Sequence, residues 1–145
     1  MRRHHRPRAE QLTRLDDLHG YLAEGVPVLV DLWQTDCQPC RMMDGIVDEL
    51  AAEFAGRAHV VKVDVRRVPG AAEAFRVQST PTFVVLARTP KPLSKKARRR
   101  AEGATTTPVS NRLNPRWRAT GLVRKDILAG ALNSNGAGPP GIVAP

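Results

Sequence analysis

Two cysteines, Cys37 and Cys40, are the residues of this 145-residue chain whose spacing most directly indicates chemistry. They are the only cysteines in the sequence, and Gln38 and Pro39 lie between them. Disulfide exchange requires one thiolate that attacks a disulfide and a second thiol that resolves the mixed disulfide. Two cysteines three positions apart in the first turn of a helix meet this requirement. We therefore expect Cys37 to be the nucleophile and Cys40 to be the resolving thiol.

The neighbouring sequence places the pair between a strand and a helix. The nearly apolar run Val28–Trp33 is typical of a central strand buried on both faces. An amphipathic helix pattern follows the cysteines and ends before Gly56. At a helix N-terminus, free N–H groups and the helix dipole favour a thiolate. Pro39 is tolerated there because its missing N–H would be unpaired in the first turn.

Two other interpretations of the cysteines are a pair of inert buried thiols and half of a zinc site. Zinc normally requires four ligands. The four histidines show no recognisable ligand spacing with the cysteines; they are His4, His5, His19 and His59. Two cysteines also exclude the disulfide framework of a small secreted protein. We favour redox chemistry, and we expect neither a metal nor a bound cofactor.

The elements around this pair alternate between helix and strand. The predicted helices span Leu12–Ala23, Cys37–Ala55, Ala71–Phe75 and Lys125–Leu132, and the predicted strands span Val28–Trp33, Val60–Val65, Phe83–Ala87 and Trp117–Thr120. This order indicates an α/β sheet with helices on both faces. We predict one domain over residues 11–132, a disordered basic N-terminus over 1–10 and a flexible Gly/Pro-rich tail over 133–145.

The net charge of +9 is concentrated at the C-terminal end of the chain. Residues 20–87 hold six Lys/Arg and nine Asp/Glu, whereas residues 88–145 hold twelve and two. Between Arg88 and Arg116 there is no periodicity, and four prolines accompany the cluster KKARRR at 95–100. We predict a basic surface segment. Three interpretations of this segment are open: a solvated loop, a binding site for nucleic acid or another polyanion, or an insertion with no partner.

Compartment signals are few. No apolar run reaches the ~20 residues that span a membrane. The basic start of the chain is not followed by the apolar stretch of a secretory signal. We expect no membrane association and a reducing cytoplasm.

Several segments together resemble the thioredoxin family. Val28–Trp33 is similar to the family's strand that leads to the active site, with its buried Asp and its Trp. Val61–Asp64 is similar to the next strand, which carries a lysine beside the buried acid. Thr80–Thr82 resembles the cis-proline loop that faces the cysteines, and Gly121–Lys125 resembles the glycine turn into the last helix.

The resemblance covers about residues 12–132. It implies a thioredoxin-like fold, with a central mixed β-sheet flanked by helices and the segment 88–116 as a basic insertion in the last hairpin. Two departures from the family pattern are visible. Asp36-Cys37-Gln38-Pro39-Cys40 stands where the family has Trp-Cys-Gly-Pro-Cys, and the usual proline of the second helix is replaced near Gly45.

Asp31 and Lys62 are expected to control protons at the site. Asp31 lies in an apolar run, so we expect a buried carboxyl rather than a solvated strand end. Burial raises the pKa of a carboxyl and allows proton transfer near neutral pH. Asp31 would accept the proton of Cys40. Lys62 either modulates Asp31 or is a solvated strand lysine.

The expected substrate-binding residues are Trp33, Gln38, Pro39, Thr80 and Pro81. The resemblance implies a cis peptide bond before Pro81, where an ordinary trans turn is the alternative. The backbone of Thr80 would pair with an extended substrate segment. Trp33 would be both a core residue and a wall of the active site.

Asp36 has two interpretations, which can coexist. Asp is among the preferred residues at a helix N-cap. A carboxylate beside Cys37 also opposes the thiolate and is expected to raise the pKa of that thiol.

The resemblance implies a protein-disulfide reductase that acts as a monomer on disulfide-containing proteins and receives electrons from a thioredoxin reductase. An oxidant or isomerase of the same fold is the first alternative. The second is a polyanion-binding module, acting through residues 88–116, with weak or vestigial redox activity.

Overall fold

A computed structural model describes residues 7–87, 95–96, 99 and 113–138. The strands are β1 (Glu10–Leu12), β2 (Val28–Trp33), β3 (His59–Asp64), β4 (Thr82–Leu86) and β5 (Pro115–Thr120). The helices are α1 (Asp17–Ala23), α2 (Gln38–Glu53), α3 (Ala71–Ala74) and α4 (Lys125–Leu132), and a π-helical turn follows over Asn133–Ala137. None of the helices in these described residues is long and apolar enough to cross a membrane.

The five strands form one mixed sheet in the order β1-β3-β2-β4-β5. β2 pairs in parallel with β3, which pairs in parallel with β1. β4 runs antiparallel to both β2 and β5. The β-branched and apolar residues of β2 and β4 are buried almost throughout, as expected for central strands covered on both faces. The mixed α/β sheet predicted from the sequence is therefore confirmed.

The helices cover the two faces of the sheet and create two apolar clusters. Buried side chains of α2 and α4 pack on one face, where Leu29 and Phe83 project from β2 and β4. Leu18 of α1 and Phe75 at the end of α3 pack on the other face. The redox pair lies where β2 leads into α2, so it is supported by the central strand and the longest described helix.

The N-terminal prediction was wrong in one respect. A helix was expected from Leu12, but Glu10–Leu12 forms β1 and the helix begins only at Asp17. Leu12 is buried beside Val63 of β3, its partner in the sheet. The backbone N–H of Ala9 also donates to Asp48, so order begins before residue 11, whereas residues 1–6 lie outside the described part. A three-residue edge strand is too short for periodicity to reveal, because it depends on its partner.

The basic segment joins two strand ends that meet. The backbone N–H of Ala87 donates to the carbonyl of Asn114 at 3.3 Å, immediately beyond the paired β4 and β5. The predicted segment 88–116 therefore extends too far, because Pro115 and Arg116 belong to β5. Lys95, Lys96 and Arg99 are exposed and have helical backbone, and the other residues from 88 to 112 lie outside the described part.

Part of the predicted C-terminal tail lies within the described residues, and its flexibility stays a prediction. The residues after Leu132 form a π-type turn over Asn133–Ala137, in which Asn135 and Gly136 have non-helical backbone angles. The side-chain amide of Asn135 donates to the carbonyl of Ala131 at 2.7 Å, and Arg57 binds the carbonyl of Gly138. Residues 139–145 lie outside the described part.

Candidate active site

Cys37 and Cys40 are joined by a disulfide at the N-terminus of α2, with their Cα atoms 5.3 Å apart. Cys37 is the N-cap residue, and its Sγ accepts the backbone N–H of Cys40 at 3.2 Å. Pro39 occupies the first turn, as predicted. A helix N-terminus and a donated N–H both favour negative charge on Cys37 Sγ once the disulfide is reduced.

The two cysteines differ in what surrounds them. Cys37 retains 7% of its exposure, whereas Cys40 retains 3% and lies one turn further into the helix. Gln38 and Pro39 are both exposed beside them. Cys37 is therefore the more exposed of the two cysteines.

The loop before β4 lies against Cys37. The Thr80–Pro81 peptide bond is cis, which confirms the prediction. The carbonyl oxygen of Thr80 is 3.5 Å from Cys37 Sγ, and the Thr80 hydroxyl donates to the same sulfur at 3.4 Å. Only the backbone of Thr80 was predicted from the sequence to contact substrate. The hydroxyl contact was missed, because it depends on how the loop approaches α2.

The turn after β5 supports this loop from its other side. The backbone N–H of Gly121 donates to the carbonyl of Pro81 at 2.9 Å. Gly121 has a φ of 81°, which glycine adopts without the strain that a side chain would introduce. The next residue, Leu122, is 60% exposed. An exposed leucine therefore lies on the turn that holds the Pro81 loop.

Asp31 of β2 is buried, as predicted. Its exposure is 1%, and neither carboxylate oxygen has a hydrogen-bond partner in the described part of the chain. Burial raises the pKa of this carboxyl to about 7, the nearby Lys62 cation opposes the rise, and the Asp44 carboxylate adds to it. A carboxyl with this pKa can accept and release a proton near neutral pH.

Lys62 is not a solvated strand lysine, because only 12% of its side chain is exposed. It is the residue of β3 that lies beside Asp31 of β2. Its Nζ atom, however, binds Asp44 Oδ1 at 2.6 Å. Asp44 was not predicted from the sequence, although a carboxylate four residues after Cys40 falls on the same helix face.

Trp33 lies beside this pair and is partly exposed, so its assignment to the core was wrong. The Lys62 ammonium is 4.9 Å from the centre of the indole ring. The indole N–H donates to the side-chain oxygen of Gln11 at 3.1 Å, which ties the end of β2 to β1.

Asp36 does not cap the helix, because Cys37 occupies the N-cap position. Asp36 is exposed and has a φ of 59°, in the left-handed region that Asp and Asn tolerate better than most side chains. Its electrostatic role beside Cys37 stays a prediction.

The thioredoxin family model matches residues 13–107 of this chain. The chain belongs to the thioredoxin family. The match includes the strand before the disulfide, the cysteine pair and the Pro81 loop. Membership in this family, together with the Cys37–Cys40 pair, makes the chain a thiol-disulfide oxidoreductase in general terms.

Named thioredoxins show the same similarity. Thioredoxin 1 from Nostoc sp. is 39% identical over 77 residues, which cover 53% of this chain and 72% of that protein. A thioredoxin from Staphylococcus aureus is 41% identical over 69 residues, which cover 48% of this chain and 65% of that protein.

A solved thioredoxin has the same fold. The structure of a mutant thioredoxin from Halobacterium salinarum aligns with a TM-score of 0.66 at 21% identity, covering 92% of this chain and 96% of that one. Within residues 7–87, 95–96, 99 and 113–138, no three His, Cys, Asp or Glu side chains are grouped to share a metal ion.

Proposed function

We propose that this thioredoxin-family protein reduces disulfides of protein substrates. The observation that carries the proposal is the Cys37–Cys40 disulfide at the N-terminus of α2, directly after the strand β2 that carries the buried, unpartnered carboxyl of Asp31. This arrangement supplies an accessible sulfur, a resolving sulfur and a proton acceptor.

The reaction proceeds in two exchanges from the reduced pair. The Cys37 thiolate attacks one sulfur of the substrate disulfide, forms a mixed disulfide and releases the other substrate sulfur as a thiolate. Asp31 then accepts the proton of the Cys40 thiol, and the Cys40 thiolate attacks Cys37 Sγ. The Cys37–Cys40 disulfide forms, and the second substrate thiolate leaves. Two electrons pass from the cysteine pair to the substrate, and a dithiol donor such as a thioredoxin reductase restores the pair.

Charge near the sulfurs favours reduction over oxidation. A pair becomes a strong oxidant when its reduced thiolate form is stabilised. Here Asp36 adjoins Cys37 in sequence, and its carboxylate opposes a thiolate. We expect a reduction potential nearer the about −270 mV of thioredoxin than the about −180 mV of protein disulfide isomerase. Equilibration with a glutathione buffer measures this potential.

The exposed groups beside Cys37 define where substrate binds. Gln38 and Pro39 flank the disulfide, and the Thr80 carbonyl lies 3.5 Å from Cys37 Sγ. An extended substrate segment would pair with the Thr80 backbone, as peptides do when they add to a strand edge. Substrate would thereby be aligned with its sulfur facing Cys37.

Insulin reduction with a dithiol donor tests the proposal. Wild-type protein should reduce insulin, Cys37→Ser should have no turnover, and Cys40→Ser should accumulate mixed disulfides because nothing resolves them. Adducts on Cys37→Ser but not on Cys40→Ser would reverse the roles. A potential near that of protein disulfide isomerase, together with weak insulin reduction, would favour the oxidant or isomerase instead.

A further inference from the structure

The lysine beside the buried acid is bound to a different carboxylate. Asp31 and Lys62 are direct neighbours in the parallel pair β2–β3, so their side chains leave the sheet on the same face. Lys62 Nζ nevertheless lies 2.6 Å from Asp44 Oδ1, while both oxygens of Asp31 have no hydrogen-bond partner within the described residues. The cation nearest to the buried acid is therefore held by α2.

Helix geometry and exposure explain this choice. Asp44 follows Cys40 by four residues, which brings it onto the helix face that carries the resolving cysteine. Its side chain is 47% exposed, and that of Lys62 is 12% exposed. An ion pair in contact with water loses less hydration than one at the 1% exposed Asp31. Lys62 therefore gains more by pairing with Asp44.

We propose that Asp44 is a positioning residue for disulfide exchange: it binds the Lys62 ammonium on the α2 side and leaves Asp31 without a hydrogen-bonded cation. This inference rests on the proposed function at one step, in which Asp31 accepts the Cys40 proton. An unpaired buried carboxyl is a stronger base than one paired with an ammonium. Asp44 thus keeps Asp31 basic enough to deprotonate the Cys40 thiol.

On the strands β3 and β4 that flank β2, the other acidic side chain is that of Asp64. On β3, Asp64 lies two residues after Lys62, but its carboxylate accepts the backbone N–H of Arg66 at 2.9 Å and lies 3.8 Å from Arg67. On β4, the residue paired with Asp31 is the apolar Phe83. The charge balance at Asp31 is therefore set mainly by Lys62 and Asp44, which are also the charges that act on its pKa.

The test isolates the resolving step. Reduced protein is converted to an adduct in which Cys37 carries a thionitrobenzoate group. Cys40 then attacks Cys37 Sγ, the Cys37–Cys40 disulfide forms, and coloured thionitrobenzoate leaves with the electron pair of the broken bond. The release rate is measured against pH for wild type, Asp44→Asn, Lys62→Met and the double variant. Glu49→Gln is the matched control, because it removes an exposed α2 carboxylate that pairs with Lys125 instead.

We expect Asp44→Asn to move the midpoint of the rate profile to lower pH, because Lys62 is released toward Asp31. A shift of half a pH unit would raise the rate on the acid limb about threefold. Lys62→Met should move the midpoint to higher pH. The shift that Asp44→Asn causes should be smaller in the Lys62→Met background than in the wild-type background. Glu49→Gln should match wild type.

Two results would overturn the inference. One is an unchanged midpoint in Asp44→Asn; the other is an equal shift with and without Lys62, which would mean that Asp44 acts only through its own charge. Carbon NMR titration of the Asp31 carboxyl in the oxidised protein makes the same comparison without any exchange reaction. If Asp31→Asn left the rate profile unchanged, the proton step of the proposed function would fail, and the titration would still decide the role of Asp44.

Discussion

The carboxyl of Asp31 lies in the central strand with 1% exposure and no hydrogen-bond partner in the described part of the chain. Water would stabilise its charged form in the unfolded chain, whereas the folded protein offers it only the partial help of Lys62. The same burial that makes Asp31 a proton acceptor near neutral pH therefore destabilises the fold whenever Asp31 is ionised.

Stability of the oxidised protein should consequently fall as pH rises. The folded-state pKa of Asp31 is about 7 against an ordinary value of 3.8, so the folded protein binds the extra proton between these values. The stabilisation from this proton is fully present below about pH 4 and is lost as the pH rises through about 7. The total loss in the free energy of unfolding is on the order of 4 kcal/mol.

Urea unfolding of oxidised wild type and Asp31→Asn from pH 4 to 8 measures this loss. As the pH rises, the free energy of unfolding of Asp31→Asn should increase relative to that of wild type. Glu49→Gln should retain the wild-type slope. Parallel pH profiles for wild type and Asp31→Asn would contradict a raised pKa.

Asp36 should oppose the Cys37 thiolate. Asn also tolerates the left-handed backbone found at Asp36, so Asp36→Asn removes the charge and keeps the conformation. We expect the pKa of Cys37 to fall in this variant. Thiolate absorbance of the reduced protein against pH is the measurement, and an unchanged or higher pKa would remove the electrostatic role.

The Thr80 hydroxyl should lower the pKa of Cys37, which is opposite to the effect expected of Asp36. Its hydroxyl donates to Cys37 Sγ at 3.4 Å, and a donor to sulfur favours the thiolate. Thr80→Val removes the hydroxyl with little change of shape, so the pKa of Cys37 should rise and its reaction with iodoacetamide at neutral pH should slow. Thr35→Val, at an exposed position before α2, is the control. Thr82→Val is unsuitable as a control because the Thr82 hydroxyl donates a hydrogen bond to the carbonyl of Ser79.

At the scale of elements, β5 holds the end of α3 through one side chain. The Arg118 guanidinium donates to the carbonyls of Phe75 and Arg76, which close the last turn of that short helix. Arg118→Met should lower the free energy of unfolding by about 1 kcal/mol, because two carbonyls lose a charged donor. Denaturant midpoints measure the effect, with Arg14→Met, at an exposed arginine 3.7 Å from Asp16, as control. Equal midpoints for both variants would show that Arg118 adds nothing.

Elements with a strong periodic or apolar pattern could be predicted from the sequence, and α4 has the predicted bounds Lys125–Leu132. β1 could not, because three residues become a strand only through pairing with β3. The cysteine pair was predicted from its spacing and the cis bond before Pro81 from the family resemblance. The Lys62–Asp44 pair required the distance between a strand and a helix, which no local pattern contains.

At the scale of the whole molecule, the basic segment should be dispensable for the fold. Ala87 and Asn114 already meet by a hydrogen bond, and Leu113 packs against the core. Replacing residues 88–112 with Asn-Gly leaves a short hairpin connection, and shortening a long loop changes closure entropy by only about 0.6 kcal/mol per halving.

Insulin reduction and thermal unfolding of this deletion variant make the test. We expect undiminished activity and equal or higher stability. If the wild-type segment binds polyanions, binding to heparin should weaken steeply with salt and should vanish in the variant. A folded variant without insulin reduction, or heparin binding that survives the deletion, would contradict this expectation.

The strand β4 has the loop at Cys37 at one end and the basic segment at the other. Its first residue, Thr82, adjoins the loop at Cys37, and its last, Leu86, leads toward the basic segment about 14 Å away along the strand. Adsorption through that segment to a negatively charged bead would orient every molecule with its disulfide outward. An immobilised preparation should therefore lose little access for large substrates, whereas attachment through Met42, which is exposed on α2 two residues after Cys40, should block them.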